Sequence, residues 1–137
     1  MMRFPRITVA AALVVAAMAV PAAAPPLDAR PAGVIGMGHE GYRIGGVHDA
    51  HLGTDGVPVI TIHRGDRLTF QNDSRWVHII GPGKRGLLTD PGDGAMTPLK
   101  MLEENDVFST HAWTTEGTFD LTCTVHPDMN AKVVVVP

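Results

Sequence analysis

The sequence predicts an all-β protein, a single Greek-key β-sandwich, from three observations. Short runs rich in Val, Ile, Thr and aromatic residues recur between residues 57 and 137, each bounded by Gly, Asn, Asp or Ser. Leu68 and Phe70 alternate with Arg67, Thr69 and Gln71, and Phe119 and Leu121 alternate with Asp120 and Thr122, the two-residue period of strands with one buried face. The chain has 137 residues, 45% of them hydrophobic, which suffices for one compact core and not for a multidomain enzyme.

Taken in order, the elements begin after a leader. Arg3 and Arg6 precede an apolar stretch, residues 7–20, in which Thr8 is the only polar side chain, and Ala22, Ala23 and Ala24 follow. This is the layout of a signal peptide over residues 1–24, cut near 22–24. The stretch is shorter than the roughly 20 apolar residues a spanning helix needs, so no membrane insertion is expected once the leader is gone. The mature chain is then exported, to a periplasm, the cell surface or the medium. Arg3 and Arg6 leave with the leader, so 9 of the 11 basic residues remain against 14 acidic ones, a formal charge of −5. Such a balance gives no footprint for nucleic acid.

Residues 25–56 are rich in Pro and Gly and hold His39, His48 and His51 without a helical period, which reads as a mobile start followed by a short strand or loop. The core is expected over 57–137, with strands at 59–63, 67–72, 76–80, 107–114, 118–124 and 132–136. Turn residues separate them: Gly65-Asp66, Asn72-Asp73-Ser74 and Glu116-Gly117. Around residues 81–105 the pattern breaks into an insertion, irregular or briefly helical, whose Leu99-Lys100-Met101-Leu102-Glu103-Glu104 piece has the residues of one or two helical turns.

The chain has one cysteine, which excludes an internal disulfide framework. A free thiol in an oxidising compartment is prone to oxidation unless something protects it, and a bound metal would do so. Cys123, His126 and Met129 lie within seven residues in a segment connecting two strands. Thiolate, imidazole and thioether are soft to borderline donors that suit copper and exclude magnesium or calcium. A second imidazole is available from His78, flanked by Val77 and Ile79. Taken alone, each of these residues reads as core filling, and only their combination points to a metal.

Two motifs, residues 65–72 leading to His78 and Gly117-Thr-Phe-Asp-Leu-Thr-Cys-Thr-Val-His-Pro-Asp-Met129 running into a valine-rich final strand, resemble those of the small blue copper proteins, the cupredoxins, in particular their amicyanin and plastocyanin-like group. The resemblance covers roughly 57–137. It implies one type 1 copper ion held by His78, Cys123 and His126 in plane and Met129 as the weak axial ligand. It also implies a monomeric carrier that passes single electrons between transiently bound redox proteins through the exposed edge of His126, and no enzymatic activity. Copper storage or delivery from the same site is the alternative, with the His- and Met-containing N-terminal region as its loading point.

Three positions depart from the family pattern. Ile79 stands where many relatives have an Asn that ties the ligand loop, so Asn72 or Ser74 is expected to supply the tie. Thr122 replaces a common aromatic residue. Val125 replaces a proline, adding an N–H that could point at the Cys123 sulfur. His48-x-x-His51 could hold a second metal but has no evident third ligand, and Trp76 and Trp113 are expected in or beside the core. The motifs of serine hydrolases, zinc proteases, dithiol redox proteins and phosphate-binding loops are missing from the sequence.

Overall fold

A computed structural model describes residues 31–39, 41–89 and 99–137. The leader expected at 1–24 and residues 90–98 of the 81–105 insertion lie outside these residues. Among the described residues eleven strands form two sheets: β1 (Pro31–Met37), β2 (Tyr42–Val47), β3 (Ala50–Leu52), β4 (Pro58–His63), β5 (Arg67–Asn72), β6 (His78–Lys84), β7 (Leu87–Leu88), β8 (Lys100–Leu102), β9 (Val107–Ser109), β10 (Gly117–Cys123) and β11 (Asn130–Val136). One sheet runs β2-β1-β5-β9 and the other β3-β4-β11-β10-β6-β7, with β8 also paired to β6. Two of the pairings, β1 with β5 and β4 with β11, are parallel.

The core lies between the sheets and follows the alternation of the strands. Ile35 and Met37 of β1 and Leu68 and Phe70 of β5 face Ile60 and Ile62 of β4, Leu121 of β10 and Val133 and Val135 of β11, all buried. Each such side chain contributes roughly 1.5–3 kcal/mol of burial free energy. The strands expected at 59–63, 67–72, 118–124 and 132–136 occur within one or two residues of those bounds.

Four segments differ from expectation. Residues 31–52, read as part of a mobile start followed by a short strand or loop, form three strands, β1, β2 and β3, and β1 is an inner strand of its sheet. The glycines that suggested a loop serve close approach: a Cβ on Gly33, whose φ is +142°, would sit 2.5 Å from the Gly46 carbonyl oxygen, and one on Gly46 would sit 2.6 Å from that of Val34. They lie beside a register shift between Val34 and Gly36, the mark of a bulge. The strand expected at 76–80 begins only at His78 and continues through Gly81-Pro82-Gly83 to a two-residue hairpin, where Arg85 (φ 50°) and Gly86 (φ 76°) make the left-handed turn such hairpins need.

Residues 100–102, expected as a helical turn, are strand β8. Their pairing with His78, Ile79 and Ile80 outweighs the local helix preference of Lys, Met and Leu. The strand expected over 107–114 stops at Ser109. Beyond it the chain follows β5 irregularly, with Thr110 N–H on the Leu68 carbonyl and Trp113 N–H on that of Asp66. Among the described residues no helix is long and apolar enough to cross a membrane.

Candidate metal centre

Strand register brings the first two donors together. Cys123 ends β10 and pairs with Ile80 of β6, two residues from His78, which opens that strand. Both side chains are fully buried. The chain then leaves the sheet at Thr124, whose N–H binds the Ile79 carbonyl, and turns back to β11. Two backbone bonds close this loop: Met129 N–H to the His126 carbonyl at 2.9 Å and Cys123 N–H to the Met129 carbonyl at 3.0 Å. His126 is thereby folded back over Cys123 and Met129 is carried inward, fully buried.

Cys123 Sγ lies 3.8 Å from His78 Nδ1 and 3.5 Å from His126 Nδ1. The three donor atoms all fall within 4.8 Å of one another, and they form the one group of three or more His, Cys, Asp or Glu donors gathered in this way among the described residues. Two imidazoles and a thiol converging in a mostly buried space, with a buried thioether beside them in the same loop, fit a soft or borderline metal ion such as copper. Among the described residues no third donor joins His48 and His51 in such a group.

The outer partner of His78 fixes its tautomer. Ser74 Oγ donates its only hydrogen to Asn72 Oδ1 at 2.7 Å and lies 3.1 Å from His78 Nε2. With that hydrogen spent, Nε2 must carry the proton and donate it to Ser74, which leaves the Nδ1 lone pair free on the side of Cys123. Asn72 is held in turn: its Nδ2 donates to the carbonyls of Trp76 (2.7 Å), Leu102 (3.2 Å) and Glu103 (3.0 Å), and its Oδ1 also accepts the Ser74 N–H. The tie expected from Asn72 or Ser74 thus acts on the His78 ring and on residues 73–77.

The ligand loop itself is tied by Asn130. Its Oδ1 accepts the Arg85 N–H at 2.7 Å and its Nδ2 donates to the Pro127 carbonyl at 2.8 Å, while the Gly86 N–H binds Thr122 Oγ1 at 2.8 Å. The β6–β7 hairpin therefore braces the loop. Thr122, the residue before Cys123, is the anchor for it. The Val125 N–H makes no hydrogen bond to Cys123 Sγ, whose hydrogen-bond contacts among the described residues are the two imidazoles.

His39 was not among the residues expected at the site. It lies in the turn between β1 and β2, with its ring edge-on to that of His126 (centroids 5.6 Å, 77°) and stacked on Trp76 (4.4 Å, 21°). Only the pairing of β1 with β2 carries His39 there, and the glycines of both strands hid that pairing. Trp76, expected in or beside the core, is 44% exposed. With Val125 (49%), which precedes His126 in the chain, it leaves an exposed apolar apron beside the partly exposed His126.

Burial, and then the neighbouring His126 and His39, push the pKa of His78 down from 6.5 to about 4. The metal-free unfolded chain therefore takes up a proton between those values that the folded protein refuses. A depressed folded pKa means that this contribution to stability is complete above pH 6.5 and is lost as the pH falls toward 4. The urea midpoint of the metal-free protein is expected to decline across that interval, and less so in His78→Gln. Parallel declines in the two proteins would refute the assignment.

Tyr42 is buried nearby, its hydroxyl without a hydrogen-bond partner among the described residues. Burial first, and the negative charge of a Cys123 thiolate second, push its pKa up and keep it neutral.

No known family profile matches the sequence. No curated protein matches it either. Solved structures do. A reduced amicyanin variant superposes with a TM-score of 0.54 at 23% identity over 77% of this chain and 82% of its own. The Cu(I) form of a second amicyanin variant at pH 4 gives the same values. A third, also reduced, has a TM-score of 0.53 at 22% identity over 84% of this chain and 87% of its own. The chain has the fold of these proteins, the cupredoxin sandwich.

Proposed function

We propose that the chain is an exported type 1 copper protein that carries single electrons between transiently bound redox proteins. The observation that carries the proposal is the convergence of His78 Nδ1 and His126 Nδ1 on Cys123 Sγ. His78, Cys123, His126 and Met129 would hold the ion. A copper ion so held supplies a one-electron couple between Cu(I) and Cu(II). The chain's own contribution is rigidity: the Asn72–Ser74–His78 relay fixes one ring, and Asn130 with the β6–β7 hairpin fixes the loop that carries the other, so little has to move when charge changes.

The surface supports a carrier over an enzyme. The depression at His126, lined by Val125, His126, Pro127 and Asp128, measures about 110 Å³, below the ~300 Å³ at which substrate pockets begin. The apolar apron beside it suits brief contact with another protein. Export rests on the leader-like residues 1–24. Copper delivery from the same site is the second reading, favoured by the exposed imidazole of His39 at its mouth.

The test is the absorption and electron paramagnetic resonance spectrum of the copper-loaded mature protein. An intense visible thiolate-to-copper band is expected, together with reversible voltammetry. Cys123→Ala should abolish the band completely. A colourless wild type with ordinary square-planar copper signals would sink the reading.

A further inference from the structure

The candidate site is closed on most sides. Among the four expected ligands His78, Cys123 and Met129 have no exposed surface, whereas His126 is partly exposed. The exposed side chain of His39 lies against His126. Its position is built: the Gly38 N–H bonds the Gly41 carbonyl at 2.9 Å across the base of the turn, and one face of the ring stacks on Trp76. The rings of His126 and His78 follow inward at a centroid separation of 4.8 Å. Three imidazoles thus descend from solvent to the buried thiol, and the outermost takes no part in the donor group at the centre.

We propose that His39 is the loading ligand of this site, receiving Cu(I) at the surface and passing it to His126 and Cys123. The inference rests on the copper reading of the site. His39 displaces a donor atom of the chelator or protein that delivers Cu(I), forming a nitrogen–copper bond as the delivering bond breaks. Cys123 then displaces His39: the sulfur–copper bond forms, the thiol proton passes to water and the His39 bond breaks. Copper remains Cu(I) throughout, so no oxidant or reductant is needed. Imidazole suits the role because it binds copper yet exchanges for the softer thiolate.

The test uses the metal-free mature protein and the coloured Cu(I) complex of bicinchoninate, whose loss of absorbance reports uptake. His39→Ala is expected to slow uptake roughly tenfold, equivalent to about 1.4 kcal/mol of barrier. Release to excess bicinchoninate should slow by the same factor, because a group bound only in passage changes both directions alike. His39→Met, which offers a soft thioether, should restore most of the rate, and His39→Phe, which keeps only the stack on Trp76, should not.

Uptake by His39→Ala at the wild-type rate would overturn the proposal. So would a matching loss of equilibrium affinity, which would make His39 a resident ligand, or recovery by His39→Phe, which would make its role packing. The chelator readout does not depend on the colour of the product. A protein that loads through His39 but shows no thiolate-to-copper band refutes the electron-carrier reading alone, whereas a wild type that takes no Cu(I) from bicinchoninate refutes both.

Discussion

Replacing Asn72 by leucine is expected to destabilise the protein by about 3 kcal/mol, through buried polar groups left without partners, and to weaken copper binding as well. The side chain is fully buried, close to leucine in size, and bonded at both ends. Its two Nδ2 hydrogens serve three carbonyls, so one bond is shared, and its Oδ1 accepts from both the N–H and the hydroxyl of Ser74. Leucine restores the volume and none of the bonds. The carbonyls of Leu102 and Glu103 and the turn that leads to His78 lose their anchor together.

The effect on the metal has a separate cause. Once Oδ1 is gone the Ser74 hydroxyl is free to turn its hydrogen toward His78, and the ring is then no longer held with its proton on Nε2. Loss of such an outer partner weakens metal affinity by roughly 10–100-fold. Ser74→Ala separates the two effects: it should produce the affinity loss while costing no more than about 1 kcal/mol of stability, the net value of an ordinary hydrogen bond. Urea denaturation of the metal-free proteins and Cu(I) competition with bicinchoninate measure the two quantities. Unchanged affinity in both variants would remove Ser74 and Asn72 from the site's support.

That support was only partly legible in the sequence. The donors announce themselves because their chemistry is unusual and three of them are neighbours, so spacing alone brings Cys123, His126 and Met129 together. Strands β5 and β11 are legible because alternation and β-branched residues act locally. Strand β1 is not, because Gly33 and Gly36 weaken its pattern, Gly33 for the sake of an approach to the Gly46 backbone and Gly36 to make room for the Arg43 side chain, both of which only the folded pair reveals. Strand β8 reads as helix because Lys100, Met101 and Leu102 favour one, and its partner lies some twenty residues upstream in β6. The place of His39 beside His126 is hidden for the same reason: it depends on a hairpin, and on the stacking of its ring on Trp76.

Trp113→Ala is expected to cost more stability than Asn72→Leu, about 4 kcal/mol as for other buried large aromatic residues, yet to leave the affinity of the folded protein for copper unchanged. Trp113 is 1% exposed and packs against Phe119 with ring centroids 5.2 Å apart. Its indole N–H bonds Thr110 Oγ1 at 3.1 Å, the hydroxyl that also accepts the Leu68 N–H at 3.2 Å, and its backbone bonds Asp66 and Gly65. It therefore closes the sandwich beside Arg67, at the start of β5, whereas Asn72 ends that strand at the metal site, about 17 Å away at the usual strand rise. Removing the indole opens a large cavity there and loosens the irregular segment that stands in for a strand after Ser109. The hydrogen bonds and ring contact of Trp113 go to Gly65, Asp66, Thr110 and Phe119, and not to His78, Cys123 or the loop between β10 and β11. A fall in the urea midpoint with unaltered Cu(I) competition, read where the variant is still folded, is the expected result. A parallel fall in affinity would show that the two ends of β5 are coupled and that the rigidity of the site is drawn from the whole sandwich and not from the Asn72–Ser74 relay.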